Sequence, residues 1–292
     1  MERGDIRVSR NGLRTFQDAA AIVTGAASGI GRALSQELTR RGAEVILADL
    51  QSELCEDAAS AIRASGGRAT SFRVDVAEPS DVETLVRSTY DRAGRLDYIF
   101  NNAGIGIGGP IGMLSLEDWD RIIAVNIRGV VNGLRSAYPI MLRQGFGHII
   151  NTASTGGLTP TPGMVAYSTT KHAVVGLSTS LRAEVAASGI RVTALCPGFV
   201  RTATLAGGGR YGKVYTDVPV DEQLRIAERF KPMAADNFAR SALDAVARNP
   251  AIVVIPSWWK VLWWAYRLSP GLVISFMQRA VGDSIPREDS AG

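Results

Sequence analysis

Hydrophobic positions along this chain fall in short runs that alternate with stretches of helical spacing. Ala19 to Val23 is a compact apolar run, and behind it Ile30, Leu34 and Leu38 recur every four residues, the spacing of one helix face. The unit then repeats. The run 44–48 reads as a strand, 52–65 as a helix closed by Gly66-Gly67, 69–74 as a strand, and 80–93 as a helix with Asp81 and Glu83 in its first turn, where the dipole favours acids. A strand over 96–100 and a glycine-rich loop over 105–112 lead into one long helix over about 116–143. A strand over 148–152, a helix over about 163–188 and a strand over 190–195 continue the alternation, and Cys196-Pro197-Gly198 breaks it. Residues 199–220 have little periodicity and read as a mobile loop; helices over 221–230 and 233–248 precede a last strand over 251–255. Strands alternating with helices, with few hairpin signals, predict an α/β fold: a doubly wound parallel sheet of about seven strands with helices on both faces. The predicted organisation is an N-terminal arm (1–18), a single α/β domain (19–255) and a Trp-rich helical extension with a tail (256–292).

Composition narrows the function classes. A chain of 292 residues with 46% hydrophobic and 21% charged residues has enough apolar surface for a sizeable core. The net charge of +4 is spread along the chain, with no basic run carrying interleaved aromatics, so nucleic acid is not an expected partner. Two cysteines, Cys55 and Cys196, make no disulfide framework and point to a reducing, cytoplasmic setting. Two histidines and no Cys/His cluster argue against a metal site. Residues 1–14 are polar and read as a loose arm rather than a secretory signal.

The chemistry concentrates in two places. After the first strand stands Thr24-Gly25-Ala26-Ala27-Ser28-Gly29-Ile30-Gly31, a glycine-rich turn that opens a helix. Gly25 permits a tight turn, Gly29 lets backbone approach a pyrophosphate, and Gly31 allows helix to pack on strand. The second strand ends in Asp49, placed to accept both ribose hydroxyls of an adenosine and to repel a 2′-phosphate. The second place is the stretch from Ile149 to Lys171. Ser154 follows an apolar run, and Tyr167 and Lys171 are four residues apart, on one helix face. An ammonium beside a phenol favours the phenolate and draws its pKa down from about 10, which suits a group that exchanges a proton with an alcohol or carbonyl. Asn126 is an amide among Ile122, Ile123, Val125, Ile127, Val130 and Val131, and such a group needs hydrogen-bond partners.

On these residues the chain resembles the classical short-chain dehydrogenase/reductase family, over about 19–255. The stretch Thr24 to Gly31 resembles the family's TGxxxGxG turn, and Asn101-Asn102-Ala103-Gly104 its NNAG element. Asn126, Ser154, Tyr167 and Lys171 fall at the places of its four catalytic residues, and Pro197-Gly198 with Thr202 resembles the PGxxxT element that meets the nicotinamide carboxamide. Thr193 departs from the family's common Asn, and Ser28 is not the basic residue of many NADP-using members. The resemblance implies a Rossmann fold, an NAD cofactor (NADP less favoured) and a homodimer or homotetramer paired through the helices over 116–143 and 163–188. It implies that Tyr167 is the acid/base, that Lys171 holds the nicotinamide ribose, that Ser154 steadies the substrate oxygen, and that Asn126 holds a water linking Lys171 to solvent. It implies cofactor contacts from Gly25, Ser28, Gly29, Ile30, Gly31, Asp49, Asp75 (at the adenine), Val76, Asn102, Ala103, Gly104, Tyr167, Lys171, Pro197, Gly198, Val200 and Thr202.

The expected activity is NAD-dependent interconversion of a secondary alcohol and a ketone. Apolar residues at Ile105, Ile107, Ile111, Met113, Leu158, Met164, Val165, Phe199, Leu205 and Tyr211 suggest a pocket for a bulky hydrophobic substrate such as a steroid, terpenoid or aryl alcohol. The alternatives are an NADP-dependent ketoreductase of polar or acyl substrates and a nicotinamide-binding protein without turnover. After Ile255, four of the five tryptophans crowd a segment that has no Asp or Glu from Ala245 to Gly282 but carries Arg248, Lys260, Arg267 and Arg279. That extension reads either as helices closing the pocket and packing on a subunit partner or as a monotopic anchor at a membrane surface. No uncharged run reaches 18 residues, so no spanning helix is expected.

Overall fold

The five residues of β1 (Ala20–Thr24) are all buried, because the strand lies mid-sheet with helices over both faces. Odd and even positions part as a strand requires: Ala21 and Val23 enter one core cluster with Leu34, Leu38 and Phe238, whereas Ile22 enters another with Leu85, Val86 and Met141. The computed structural model describes residues 12–205, 208 and 211–281. The first eleven residues of the predicted arm, four of the loop over 199–220 and the tail after 281 lie outside the described residues.

In chain order β1 is followed by α1 (Gly29–Arg40), β2 (Glu44–Asp49), α2 (Ser52–Ala64), β3 (Arg68–Arg73), α3 (Pro79–Ala93), β4 (Tyr98–Asn101) and a short β5 (Ile107–Gly108). Then come α4 (Leu116–Ile123), α5 (Gly129–Gln144), β6 (Gly147–Thr152), α6 (Val165–Glu184), β7 (Ile190–Pro197) and a short β8 (Lys213–Val214). The described chain ends with α7 (Val220–Glu228), α8 (Ala235–Ala247), β9 (Ile252–Ile255), α9 (Trp259–Leu268) and α10 (Pro270–Val281). Seven strands form one sheet in the order β3-β2-β1-β4-β6-β7-β9, every pair parallel. The chain order reverses between β1 and β4, and the carboxyl ends there open a crevice, the usual ligand position in such a sheet.

Three expectations are corrected. The arm is not loose throughout: Leu13 and Phe16 are buried, Phe16 packs on Tyr98 with ring centroids 5.2 Å apart, and Tyr98 donates to the Arg14 carbonyl at 2.7 Å. Two apolar residues in a polar stretch are enough to tie it down. The helix over 116–143 runs through as expected but is not α-helical throughout: a π-helical segment, Ala124–Arg128, lies between α4 and α5 and contains Asn126. The loop over 199–220 is partly pinned, since β8 runs parallel to β5 and Tyr215 donates to Asp118 Oδ2 at 2.6 Å.

Candidate active site

The glycine-rich turn needs its glycines for stated reasons. Gly25 and Gly29 have φ of 66° and 53°, left-handed values that disfavour side chains. A Cβ on Gly31 would stand 2.0 Å from the Gly25 carbonyl oxygen, and one on Gly25 would stand 2.8 Å from Ala103 Cα. Only hydrogen fits, and the turn closes against the Asn102-Ala103 backbone. Thr24 Oγ1 fastens that contact, accepting from the Asn102 and Ala103 amides at 3.0 Å each, while Asn102 Nδ2 donates to the Thr24 carbonyl at 3.0 Å. At the start of α1, Ser28 is exposed and its side chain caps no amide, and the first turn carries no acid. The positive helix end is therefore left to an anion. Ile30 packs against the core.

Asp49 is buried at the end of β2, and its two oxygens accept from the amides of Ala27 and Gln51, both at 3.0 Å. A carboxylate has about four lone-pair sites, so capacity for two hydroxyls remains. At the neighbouring strand end Asp75 accepts from the Ala77 amide at 2.9 Å, and Val76 is buried beside it. On the other side of the crevice Thr202 reaches the turn: a Cβ on Gly29 would meet its Cγ2 at 3.1 Å. Val200 is buried, bridged to Met233. The glycine-rich turn, Asp49 and Thr202 thus meet at the carboxyl ends of the strands, where the chain order reverses.

The acid/base set lies between β6 and α6. The Ser154 hydroxyl accepts from the Gly156 amide at 3.1 Å, and it lies beside the Tyr167 ring, both flanking Gly156, where a Cβ would meet them at 3.5 and 3.7 Å. Lys171, buried, donates from Nζ to the Thr152 carbonyl at 2.8 Å, and its Nζ is 5.6 Å from the Tyr167 ring centroid. Asn126, fully buried, uses both amide hydrogens and one of the two lone pairs of its oxygen. Its Nδ2 donates to the Ile105 carbonyl and to Thr170 Oγ1 at 3.0 Å each, and its Oδ1 accepts from the Ile105 amide at 2.8 Å. Both Asn126 Oδ1 and Lys171 Nζ flank Gly104, where a Cβ would meet them at 3.2 and 3.4 Å. The four residues predicted from sequence are therefore brought to one place.

The electrostatics differ from the sequence expectation. Burial raises the Tyr167 pKa, and the nearby Ser154 hydroxyl opposes that rise in part. Burial of the phenol is the largest influence on it, while the Lys171 ammonium, 5.6 Å from the ring centroid, donates to the Thr152 carbonyl. Burial brings the Lys171 pKa itself down to about 8, and pushes the neighbouring Cys196 thiol up to about 12, which leaves that sulfur neutral.

Three further residues contact the site and are missed by motif reading. Thr152 and Thr170 act through ordinary hydroxyl or backbone hydrogen bonds that carry no spacing signal; Thr170 donates to the Tyr167 carbonyl at 2.8 Å. The third is Trp259 in α9, whose Nε1 would stand 2.4 Å from a Cβ on Gly198. It is buried, its indole nitrogen has no hydrogen-bond partner among the described residues, and it stacks on Phe199 at 5.9 Å. The departure at Thr193 has a local reason, since its Oγ1 donates to the Pro250 carbonyl at 2.8 Å and pairs with the buried His148 Nε2 at 2.9 Å. Of the predicted pocket wall, Ile105, Ile107 and Leu158 are buried in core, while Ile111, Met113 and Val165 are exposed.

Comparison with known proteins agrees with this geometry. The family model for short chain dehydrogenases matches residues 19–208, and the chain belongs to the classical short-chain dehydrogenase/reductase family. It is 40% identical over 186 residues to 2-(R)-hydroxypropyl-CoM dehydrogenase of Xanthobacter autotrophicus, covering 62% of this chain and 74% of that one. It is 38% identical over 241 residues to the probable oxidoreductase EphD of Mycobacterium tuberculosis, covering 81% of this chain but 41% of that longer one. Among solved structures, a short-chain dehydrogenase/reductase from Burkholderia phymatum in complex with NAD superposes with a TM-score of 0.80 at 30% identity, over 88% of this chain and 96% of the other. Levodione reductase superposes at 0.71 with 31% identity, over 82% and 96%. The fold is thus the family's Rossmann-like one, and the chain is an oxidoreductase of that family.

Proposed function

We propose that this protein is an NAD-dependent dehydrogenase that interconverts a secondary alcohol and a ketone. The observation that carries the reading is the convergence of Ser154, Tyr167, Lys171 and Asn126 beside a cradle closed by Gly25, Gly31 and Asp49. Asp49 keeps two lone-pair sites for the adenosine ribose hydroxyls and repels a phosphate there. The nicotinamide, when bound, supplies the hydride chemistry. Tyr167 gives or takes the proton at its phenol oxygen, and Ser154, beside that phenol, holds the substrate oxygen in line with it. Lys171 uses one of its three donors on Thr152 and has two left for the ribose and for proton exchange. Asn126 fixes the Ile105 backbone against the Tyr167–Lys171 helix, and its carbonyl oxygen, flanking Gly104 with Lys171, suits a water at the exit of the proton path. The same reading has Asp75 and Val76 at the adenine and Pro197, Gly198, Val200 and Thr202 at the carboxamide.

The substrate is a bulky hydrophobic alcohol or ketone. Support comes from the apolar surroundings: Phe199, Phe230 and Trp259 stack in series, with Phe199 and Phe230 centroids 4.6 Å apart, and Met164 stands over Gly108. A polyol placed there would leave hydroxyls unpaired at a cost of roughly 1–3 kcal/mol each. Assembly is part of the reading, with at least a C2 dimer formed through α4, α5 and α6. Steady-state kinetics with NAD and NADP, across hydrophobic secondary alcohols and sugars, tests both parts. NAD should be preferred, the preference should shrink in Asp49→Ser, and the hydrophobic alcohols should have the higher kcat/KM. Equal use of NADP by the unaltered protein rejects the cofactor assignment, and preference for sugars rejects the substrate class.

A further inference from the structure

The C-terminal extension has two sides of different character. Trp259 faces inward against Gly198, and Leu262 and Trp263 pack on the same core cluster. The opposite side is apolar and uncovered. Trp258, Val261, Trp264 and Leu268 recur at three, three and four residues, which keeps them on one face around α9, and they are 50%, 73%, 54% and 81% exposed. In α10, Leu272 and Phe276, one turn apart, are 73% and 65% exposed. Large aromatic and aliphatic residues left open in a row are rarely neutral on a soluble surface.

The charges around this face have one sign. Lys260, Arg267 and Arg279 are exposed, and no Asp or Glu occurs from Ala245 to Gly282. Arg267 lies over the rings of Trp263 and Trp264, at 5.6 and 5.8 Å from their centroids, so its cation sits beside the aromatic row. A second copy of this chain seated face to face would bring like charges together without an acid in either segment to pair them. An anionic lipid surface meets both demands: its acyl region takes Trp258, Val261, Trp264, Leu268 and Phe276, and its headgroups take the cations. Among the described residues no helix is long and apolar enough to cross a membrane, which restricts the contact to one leaflet.

We propose that α9 and α10 form a monotopic docking surface for anionic membranes. The inner side of α9 stays on the enzyme while its outer side enters the interface, so the site between β6 and α6 works at the lipid boundary. Three cations near an anionic surface should raise partitioning by about a hundredfold over a neutral surface.

Flotation of the full chain with vesicles tests this, using pure phosphatidylcholine in one arm and phosphatidylcholine with phosphatidylglycerol in the other. The protein should float with the anionic vesicles, and high salt should weaken that binding. A Trp264→Ser, Leu268→Ser, Phe276→Ser variant should lose flotation while keeping its melting temperature and NAD binding, and K260E with R267E should lose the preference for anionic lipid. Failure of the unaltered protein to float with anionic vesicles overturns the proposal. So does equal flotation of the apolar variant, and so does a drop in oligomeric state of that variant by light scattering without any vesicle binding, which assigns the face to a second copy. Because NAD binding and turnover are read separately, failure here is distinct from failure of the proposed activity.

Discussion

Tyr167 and Lys171 share a helix face but answer to different surroundings, and each yields its own test. Tyr167→Phe removes only the phenol oxygen that exchanges the proton. Turnover should fall by about 10²–10⁴-fold while NAD affinity, measured by titration, stays close to the original; unaltered kcat would move the acid/base role elsewhere. Lys171 gives a stability signature. Burial holds its pKa at about 8 against an ordinary 10.5 in the cofactor-free protein. Between those values the unfolded chain binds the proton and the folded chain does not, so stability rises with pH through that window, and the burial penalty is full below about 8. The whole gap corresponds to about 3 kcal/mol. Melting curves of the cofactor-free protein and of Lys171→Met between pH 8 and 10.5 should therefore diverge, with the lysine form gaining. Parallel curves would mean that water solvates the ammonium.

At the scale of elements, Asn126 connects the π-helical segment to the site. Its three hydrogen bonds hold the Ile105 backbone and Thr170, which in turn bonds the Tyr167 carbonyl. Asn126→Ala strands a buried carbonyl and a buried amide, each costing roughly 1–3 kcal/mol. Urea denaturation should show a lower midpoint at an unchanged slope; an unchanged midpoint would mean that those groups find other partners. The same segment marks how far the sequence can be read. Strands such as β1 and β2 are apolar runs bounded by turn residues, and α1 carries Ile30, Leu34 and Leu38 at helical spacing, so periodicity alone locates them. The π segment is hidden, because apolar residues continue through Ala124 to Arg128 and one added residue per turn leaves no compositional trace. The glycine turn and Asp49 were legible because a backbone without Cβ and a carboxylate at a strand end are rare needs with few substitutes. The seating of Trp259 on Gly198 was not legible, since contacts between distant elements depend on where β9 delivers the chain. Buried Leu13 and Phe16 were likewise masked by the polar residues around them.

For the molecule as a whole, α4, α5 and α6 lie on the outside of the sheet and carry the proposed pairing. Light scattering at micromolar concentration should show a dimer or a tetramer, and a monomer alone would reject the pairing. The aromatic residues after β9 also decide how this molecule reports on itself. Four of the five tryptophans lie between 258 and 264, with centroids 4.4 Å apart in the first pair and 5.9 Å in the second. Ultraviolet emission from this protein should thus report mostly on the chain around α9, whereas circular dichroism sums over every helix and strand. Emission and dichroism traces that part company under denaturant would reveal a terminal unit that melts before the rest. Coincident traces would make α9 as much a part of the cooperative body as β1.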